Sequence, residues 1–245
     1  MEKENTDRPV NVVAIILARG GSKGLTKKNI LKLAGKPLIY YTIAAAKSAK
    51  LVHRIVVSTD DPEIAKLAIK YGAEVPFMRP ADLSGDDSTS EVALAHAVHW
   101  LRDNEGFTTD IVVYLQVTDP FRKVSMIDDC VKVLLDDPKI DSAFMGHIEH
   151  KNYWQKIDGS YKRLAESIPY GLPRQRREPL YREDTGTALA TRGYIISAGK
   201  RLGENCYIIP YEQKVNFIDI HEEFDLWLAE KIIKERGILP CAEEV

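Results

Sequence analysis

The sequence is poor in cysteine, in long apolar runs and in any excess of one charge, and each shortage closes off a class of protein. Its 245 residues contain three cysteines, Cys130, Cys206 and Cys241. Odd in number and widely spaced, they suit neither a disulfide framework nor a zinc knuckle, and fit a reducing intracellular compartment. The longest apolar run, Val12 to Ala18, falls far short of the ~20 residues that span a bilayer. The opening MEKENTDRP is polar and has no apolar signal-peptide core, so a cytoplasmic chain with no membrane partner is expected. Lysine plus arginine number 34 against 36 aspartates plus glutamates. That balance gives no bulk attraction to nucleic acid and leaves room only for a local basic site. Internal repeats and low-complexity segments are absent as well. What remains is ordinary globular composition, 44% hydrophobic and 29% charged, at a length that suits one large α/β domain with at most a small appendage.

Against these absences stands an alternation of two periods. Residues 10–18 form a Val/Ile/Leu run of the kind buried on both faces of a parallel sheet. Pro37 opens a helical segment, Leu38 to Lys50. Arg54 to Thr59 reads as a strand, and Pro62 to Tyr71 as a helix that Gly72 ends. Ala73 to Phe77 reads as a short strand, and Ser88 as the cap of a helix from Thr89 to about Asn104. Ile111 to Val117, Ser142 to Gly146 and Val215 to Ile220 read as strands, and residues 125–137 and Glu222 to Glu235 as helices. Such alternation predicts α/β architecture with a doubly wound, mostly parallel sheet. Ligands then bind beyond the carboxyl ends of the strands, where Arg19 to Gly24, Ser58 to Asp61 and Gln116 to Arg122 lie. Residues 147–190, with Pro169, Pro173 and Pro179 and the cluster Arg174, Arg176 and Arg177, break the pattern and predict an extended arm or small β lobe.

The loop Arg19-Gly20-Gly21-Ser22-Lys23-Gly24 follows a buried strand. Its glycines allow the backbone to approach a ligand and point N–H groups at it. Arg19 and Lys23 lie within the loop, with Lys27 and Lys28 just after. Clustered donors and cations suit a polyphosphate, although the spacing is neither that of a Walker A motif nor G-x-G-x-x-G.

The stretch Leu17-Ala18-Arg19-Gly20-Gly21-Ser22-Lys23-Gly24-Leu25-Thr26-Lys27-Lys28-Asn29, with Leu33-Ala34-Gly35-Lys36-Pro37-Leu38 after it, resembles the signature of the acylneuraminate (CMP-sialic acid synthetase) cytidylyltransferases. Ser58 to Asp61, Arg79 to Leu83 with Asp86 to Ser90, Leu115 to Arg122, and Phe217 to Ile220 with Glu223 to Leu226 extend the resemblance in order over about residues 10–235. The resemblance implies a Rossmann-like nucleotidyltransferase domain, similar to the GT-A fold, in a homodimer whose small dimerisation arm is residues 147–190. It implies transfer of CMP from CTP to the anomeric hydroxyl of a 2-keto-3-deoxy nonulosonic acid, with Mg2+ as cofactor and pyrophosphate as leaving group. By position, Arg19, Lys23 and Lys28 would grip the triphosphate as catalytic cations, with Ala18 and Ser22 in the nucleotide site. Asn29, Arg79 and Ser90 would read cytosine and ribose. Gln116 would contact the sugar acid, and Asp219 would hold magnesium. An eight-carbon (Kdo-type) acceptor and a catalytically degenerate nucleotide-binding relative are the alternative readings.

Three departures from the family pattern bear on the site. Asp219-Ile220-His221 stands where D-I-D is usual. Both side chains fall on one face of a strand, but histidine is a poor magnesium ligand. A water, a nearby carboxylate or a single-carboxylate site are the alternatives for the second ligand. Gln116-Val117-Thr118-Asp119 stands where Q-P-T-S is usual, and Tyr181 to Gly186 is one residue longer than Y-x-x-N-G. A sugar pocket different from that for N-acetylneuraminate is expected. Arg174 is compatible with binding the sugar carboxylate, with a solvated arm and with a dimer contact; Tyr207 is compatible with the sugar pocket and with core packing. His96 with His99, and His147 with His150, lack further ligands at metal spacing and are expected to be surface or partly buried. Asp60 and Asp61 are expected to cap the helix at Pro62 rather than bind metal.

Overall fold

The structure is a computed structural model that describes residues 8–21, 24–164, 171–212, 218–238 and 240. Its centre is a seven-stranded sheet of β1 (Val12–Leu17), β4 (Arg54–Ser58), β5 (Ile111–Gln116), β6 (Ser142–Glu149), β9 (Leu180–Glu183), β10 (Leu189–Arg192) and β11 (Cys206–Tyr211). The order is β11-β6-β10-β5-β1-β4, with β9 also paired to β6. β1, β4, β5, β6 and β11 run in one direction, while β9 and β10 run against it. The sheet is therefore mostly parallel, as expected, with an antiparallel strand between β5 and β6.

The strand period splits β1 between two cores. Val12, Ala14 and Ile16 join the cluster under α1 (Leu38–Ser48), α2 (Pro62–Tyr71), α4 (Val124–Asp136) and α6 (Glu223–Arg236). Val13 and Ile15 join the cluster under α3 (Ser90–Glu105) and α5 (Gly193–Ser197). Both faces are covered, which is why these strands read as continuous apolar runs. Tyr41 is buried, and Tyr40 and Trp100 pack against the cores. No helix among the described residues is long and apolar enough to cross a membrane.

Several local expectations shift. Asp61, not Asp60, caps α2, its carboxylate accepting from Glu63 N and Ile64 N at 2.7 and 3.2 Å. Thr89 rather than Ser88 caps α3, because the Ser88 hydroxyl donates to Leu83 O. Ala73 to Phe77 makes one isolated bridge, Val56 with Glu74, rather than a strand, and Met78 just beyond it makes another with Thr59; Pro76 has no N–H to continue a ladder. Of the expected strand Val215 to Ile220, residues 215–217 lie outside the described residues, and Ile218 to Ile220 belong to no strand. Ile220 N does donate to Thr118 O at 2.8 Å.

Much of residues 147–190 is in the main sheet, since β6 continues to Glu149 and β9 begins at Leu180. Between them lies a hairpin of β7 (Trp154–Ile157) and β8 (Ser160–Arg163). Its turn places Asp158 at φ 49 and Gly159 at φ 80, the left-handed pair that a tight hairpin requires. Two further strands, β2 (Lys32–Leu33) and β3 (Lys36–Pro37), form a small ribbon before α1.

Candidate active site

Two cavities adjoin at the carboxyl ends of β1 and β5. The larger, 510 Å3, is bounded by the glycine loop, the 83–90 segment, the amino end of α3 and the end of β5. Arg19, Lys28, Asn29, Arg79, Ser90 and Gln116 all line it, together with His221. Ala18 does not; it is buried beneath the loop, its N–H donating to Ser58 O at 3.0 Å. Ser22 and Lys23 lie outside the described residues.

The loop is shaped from below. Buried Asn29 donates from Nδ2 to Arg19 O at 2.9 Å, and Gly20 N donates to Asp60 Oδ1 at 2.9 Å. At Gly24 a Cβ would stand 2.6 Å from His221 O, so only glycine lets the loop close against the 218–221 segment. Across the cavity, Arg19 Nη1 bonds Gly85 O at 3.0 Å and pairs with Asp86 at 3.2 Å. Arg79 is buried, donating from Nε to Ser84 Oγ at 3.1 Å with Asp60 3.8 Å away. Burial pulls its guanidinium below the usual range, partly opposed by Asp60. The Lys28 ammonium is also drawn down, mainly by burial and less by Arg19, while Asp219 acts against the shift. Two cations held with incomplete compensation make this cavity a receptor for anions.

Asp219, His221 and Lys28 form a chain: His221 Nε2 lies 2.7 Å from Asp219 Oδ2, and His221 Nδ1 lies 3.5 Å from Lys28 Nζ. A neutral imidazole protonated at Nε2 donates to the carboxylate and accepts from the ammonium. Asp225 Oδ2 fixes this turn by accepting from His221 N and Glu222 N at 2.8 and 2.9 Å. Among the described residues no group of three His, Cys, Asp or Glu is placed to hold a metal ion. The donor set therefore fits Mg2+ only as one carboxylate completed by phosphate and water oxygens, a mode that ion commonly adopts.

The second cavity, 280 Å3, meets the first at Gln116 and is lined by Asp119, Arg182, Glu183, Asp184, Gly186 and Asp219. Residues 184–188 leave the sheet between β9 and β10, held by Asp184 N to Met145 O and Met145 N to Ala188 O. Arg122, fully buried, ties this excursion to the end of β5. It donates to the carbonyls of Thr187, Gly186 and Gln116 and to Thr42 Oγ1. At Gly186 a Cβ would stand 2.5 Å from Gln116 Oε1, so this glycine leaves Gln116 its place. Gln116 Nε2 in turn donates to Tyr114 OH at 3.0 Å.

Asp119 is 5% exposed. Thr187 Oγ1 donates to its Oδ2, while its Oδ1 has no hydrogen-bond partner. Burial pushes its carboxyl up to about 6; Arg122 and Thr187 counter this, and Asp184 and Asp219 add to it. The sequence marks Asp119 only as a departure from the family pattern and assigns no role to Arg122, Asp184 or Thr187. A polar tail on an otherwise buried strand was the available signal. Arg174, in a short 3-10 turn, and Tyr207, 49% exposed on β11, line neither cavity.

The family model described as cytidylyltransferase matches residues 13–159. The chain belongs to the cytidylyltransferase family. It is 33% identical over 227 residues to the CMP-N,N'-diacetyllegionaminic acid synthase of Legionella pneumophila, covering 92% of this chain and 97% of that one. It is 43% identical over 108 residues to the pseudaminic acid cytidylyltransferase of Campylobacter jejuni, covering 44% and 46%. Among solved structures it resembles CMP:2-keto-3-deoxy-manno-octonic acid synthetase complexed with CTP. That likeness has a TM-score of 0.70 at 18% identity, covers 92% of this chain and 99% of the other, and speaks for the fold.

Proposed function

We propose that this chain transfers CMP from CTP to the anomeric hydroxyl of a 2-keto-3-deoxy nonulosonic acid and releases pyrophosphate. The observation that carries the reading is the pair of cavities joined at Gln116, one lined by Arg19, Lys28 and Arg79, the other by Arg182 and several carboxylates. Identity with the Legionella synthase over nearly both full lengths supports the nine-carbon acceptor class.

In the larger cavity Arg19 and Lys28 hold the triphosphate, and the family pattern assigns Lys23 to the same role. Arg19 exchanges Asp86 for phosphate, a small cost for a partly exposed ion pair. Ala18 supports the loop from beneath, Ser22 is assigned to the nucleotide by the family pattern alone, and Asn29, Arg79 and Ser90 face base and ribose. Gln116 positions the acid at the junction. The sugar hydroxyl forms the new bond to the α-phosphorus as the bond to the bridging oxygen breaks, and the hydroxyl proton is lost. Cations that stabilise charge on the transferring and leaving phosphates supply most of what such a step needs. Asp219, with His221 beside it, would hold Mg2+, and the bound ion would supply charge neutralisation to the phosphates. The hairpin of β7 and β8, bearing exposed Trp154 and Tyr161, is the core of a dimerisation arm on the single nucleotidyltransferase domain. Use of CTP as donor supports a cytoplasmic location.

The test is pyrophosphate release from CTP and Mg2+ with a panel of 2-keto sugar acids, with and without each acid, and after chelation with EDTA. Release that requires one acid and the metal is expected. CTP binding without release for any acid, unrestored by His221→Asp, overturns the reading. An eight-carbon acid as the sole substrate would move the enzyme to the Kdo-type alternative.

A further inference from the structure

The second cavity carries carboxylates well in excess of cations. Asp119, Glu183, Asp184 and Asp219 line it, while the guanidinium of Arg182 lies 3.8 Å from Asp184. Acidic residues alone do not define a ligand, but one of these differs from the rest. Asp119 is buried, and its Oδ1 has no hydrogen-bond partner although Oδ2 is engaged by Thr187. Glu183 and Asp184, by contrast, are engaged by Arg201 and Tyr211. A buried acceptor without a donor is costly and is rarely left so. An occupant that donates a hydrogen bond removes that cost, and one that presents only acceptors or a second anion adds to it. Among the described residues that line this cavity, Arg182 is the only cation.

Resting on the proposed function, we infer that Asp119 is a specificity-determining residue that reads a nitrogen-borne hydrogen-bond donor, an acylamino N–H or an ammonium, on the acceptor sugar acid. The asymmetry follows from chemistry: a site built around a buried polar group rejects an analogue that cannot satisfy it far more strongly than an apolar site does. Hydroxyls also donate, but N–H donors spend no acceptor lone pair against the surrounding carboxylates. An ammonium gains charge assistance as well.

The experiment measures kcat/KM for pyrophosphate release with acids matched except at one carbon distal to the carboxylate, which bears a hydroxyl, an acetamido or a free amino group. Wild-type enzyme, Asp119→Asn and Asp119→Ser are compared, and CTP affinity is measured separately by calorimetry. Expected is a preference of about 10- to 100-fold for a nitrogen-bearing acid over its hydroxyl counterpart. Asp119→Ser should abolish it with CTP affinity retained. Asp119→Asn, which keeps an acceptor but loses the charge, should spare the acetamido preference and lose the amino one, so the variant identifies which nitrogen is read. Equal turnover of all matched acids by wild type overturns the inference and leaves the cytidylyltransferase reading intact. So does a Ser variant that slows every acid alike, since that is what a merely structural Asp119 predicts. No release with any acid overturns both.

Discussion

Replacing Asp119 by asparagine should stabilise the unliganded protein as the pH rises, and the structure fixes the size of the effect. The carboxyl is buried and pushed up to about 6 from 3.8, so the native state prefers it neutral. Folding at a pH below 4 carries no penalty for this group. As pH climbs from about 4 to about 6 the unfolded chain releases the proton while the folded chain keeps it, and the native state loses stability until both are ionised. Two units at about 1.4 kcal/mol each give about 3 kcal/mol. Asparagine has the same shape and no titration. The difference in unfolding free energy, variant minus wild type, should therefore rise by about 3 kcal/mol between pH 4 and pH 7 and then stay level. Taking the difference cancels the titrating groups with which Asp119 does not interact, and the rise is independent of whatever constant offset the amide brings. Urea unfolding at half-unit pH steps measures it. A difference that is flat with pH, or that falls, would show that Asp119 is satisfied in the native protein and would remove the premise of the acceptor preference.

Arg19→Ala and Lys28→Ala should each lower kcat/KM for pyrophosphate release by about 100- to 1,000-fold, the range for losing one group that stabilises developing charge. Unchanged turnover would take that cation out of the triphosphate site. Arg122→Met leaves Thr187 O without its donor and takes the second donor from Gly186 O and Gln116 O, which keep Gln116 N and Thr42 Oγ1, and should cost about 2 to 3 kcal/mol in urea unfolding; a loss under 1 kcal/mol would mean the loop does not depend on it. Asp61→Ala removes the α2 cap and should cost about 1 kcal/mol, read as a lower melting temperature; no change would assign the capping to water.

What the sequence discloses here is set by how locally each feature is determined. Val12 to Leu17 reads as a strand buried on both faces because its own apolar run says so, and the α2 boundaries follow from Asp61, Pro62 and Gly72. The cap of α3 is missed by one residue because Ser88 and Thr89 are equally good caps, and a contact from Ser88 to Leu83 decides between them. Ala73 to Phe77 has strand composition, and Pro76 ends the ladder. The glycine loop was legible as an anion site from its cations and glycines. Its companions were not: Asp86 reaches Arg19 across 67 residues, and Thr187 reaches Asp119 across 68. Such pairings are products of sheet order. Only the family pattern drew notice to Asp119, and no local rule marks it as buried.

The antiparallel strand explains why the two cavities meet. In a purely parallel sheet every loop entering a strand lies at the amino edge, away from the ligand edge. β10 runs against β5 and β6, with Leu189 opposite Tyr114 and Phe144, so the segment entering it, residues 184–188, lands at the carboxyl edge beside Gln116. Arg122 then joins the two, through Gly186 and Thr187 on one side and Gln116 on the other. Because one buried guanidinium holds both the end of the nucleotide strand and the acceptor loop, displacement of either is felt at the other. Arg122 therefore positions rather than reacts. Arg122→Lys, which keeps the charge but loses the planar fork, should raise KM for the acid while leaving CTP affinity within a fewfold of wild type. A loss confined to CTP affinity would place the join elsewhere.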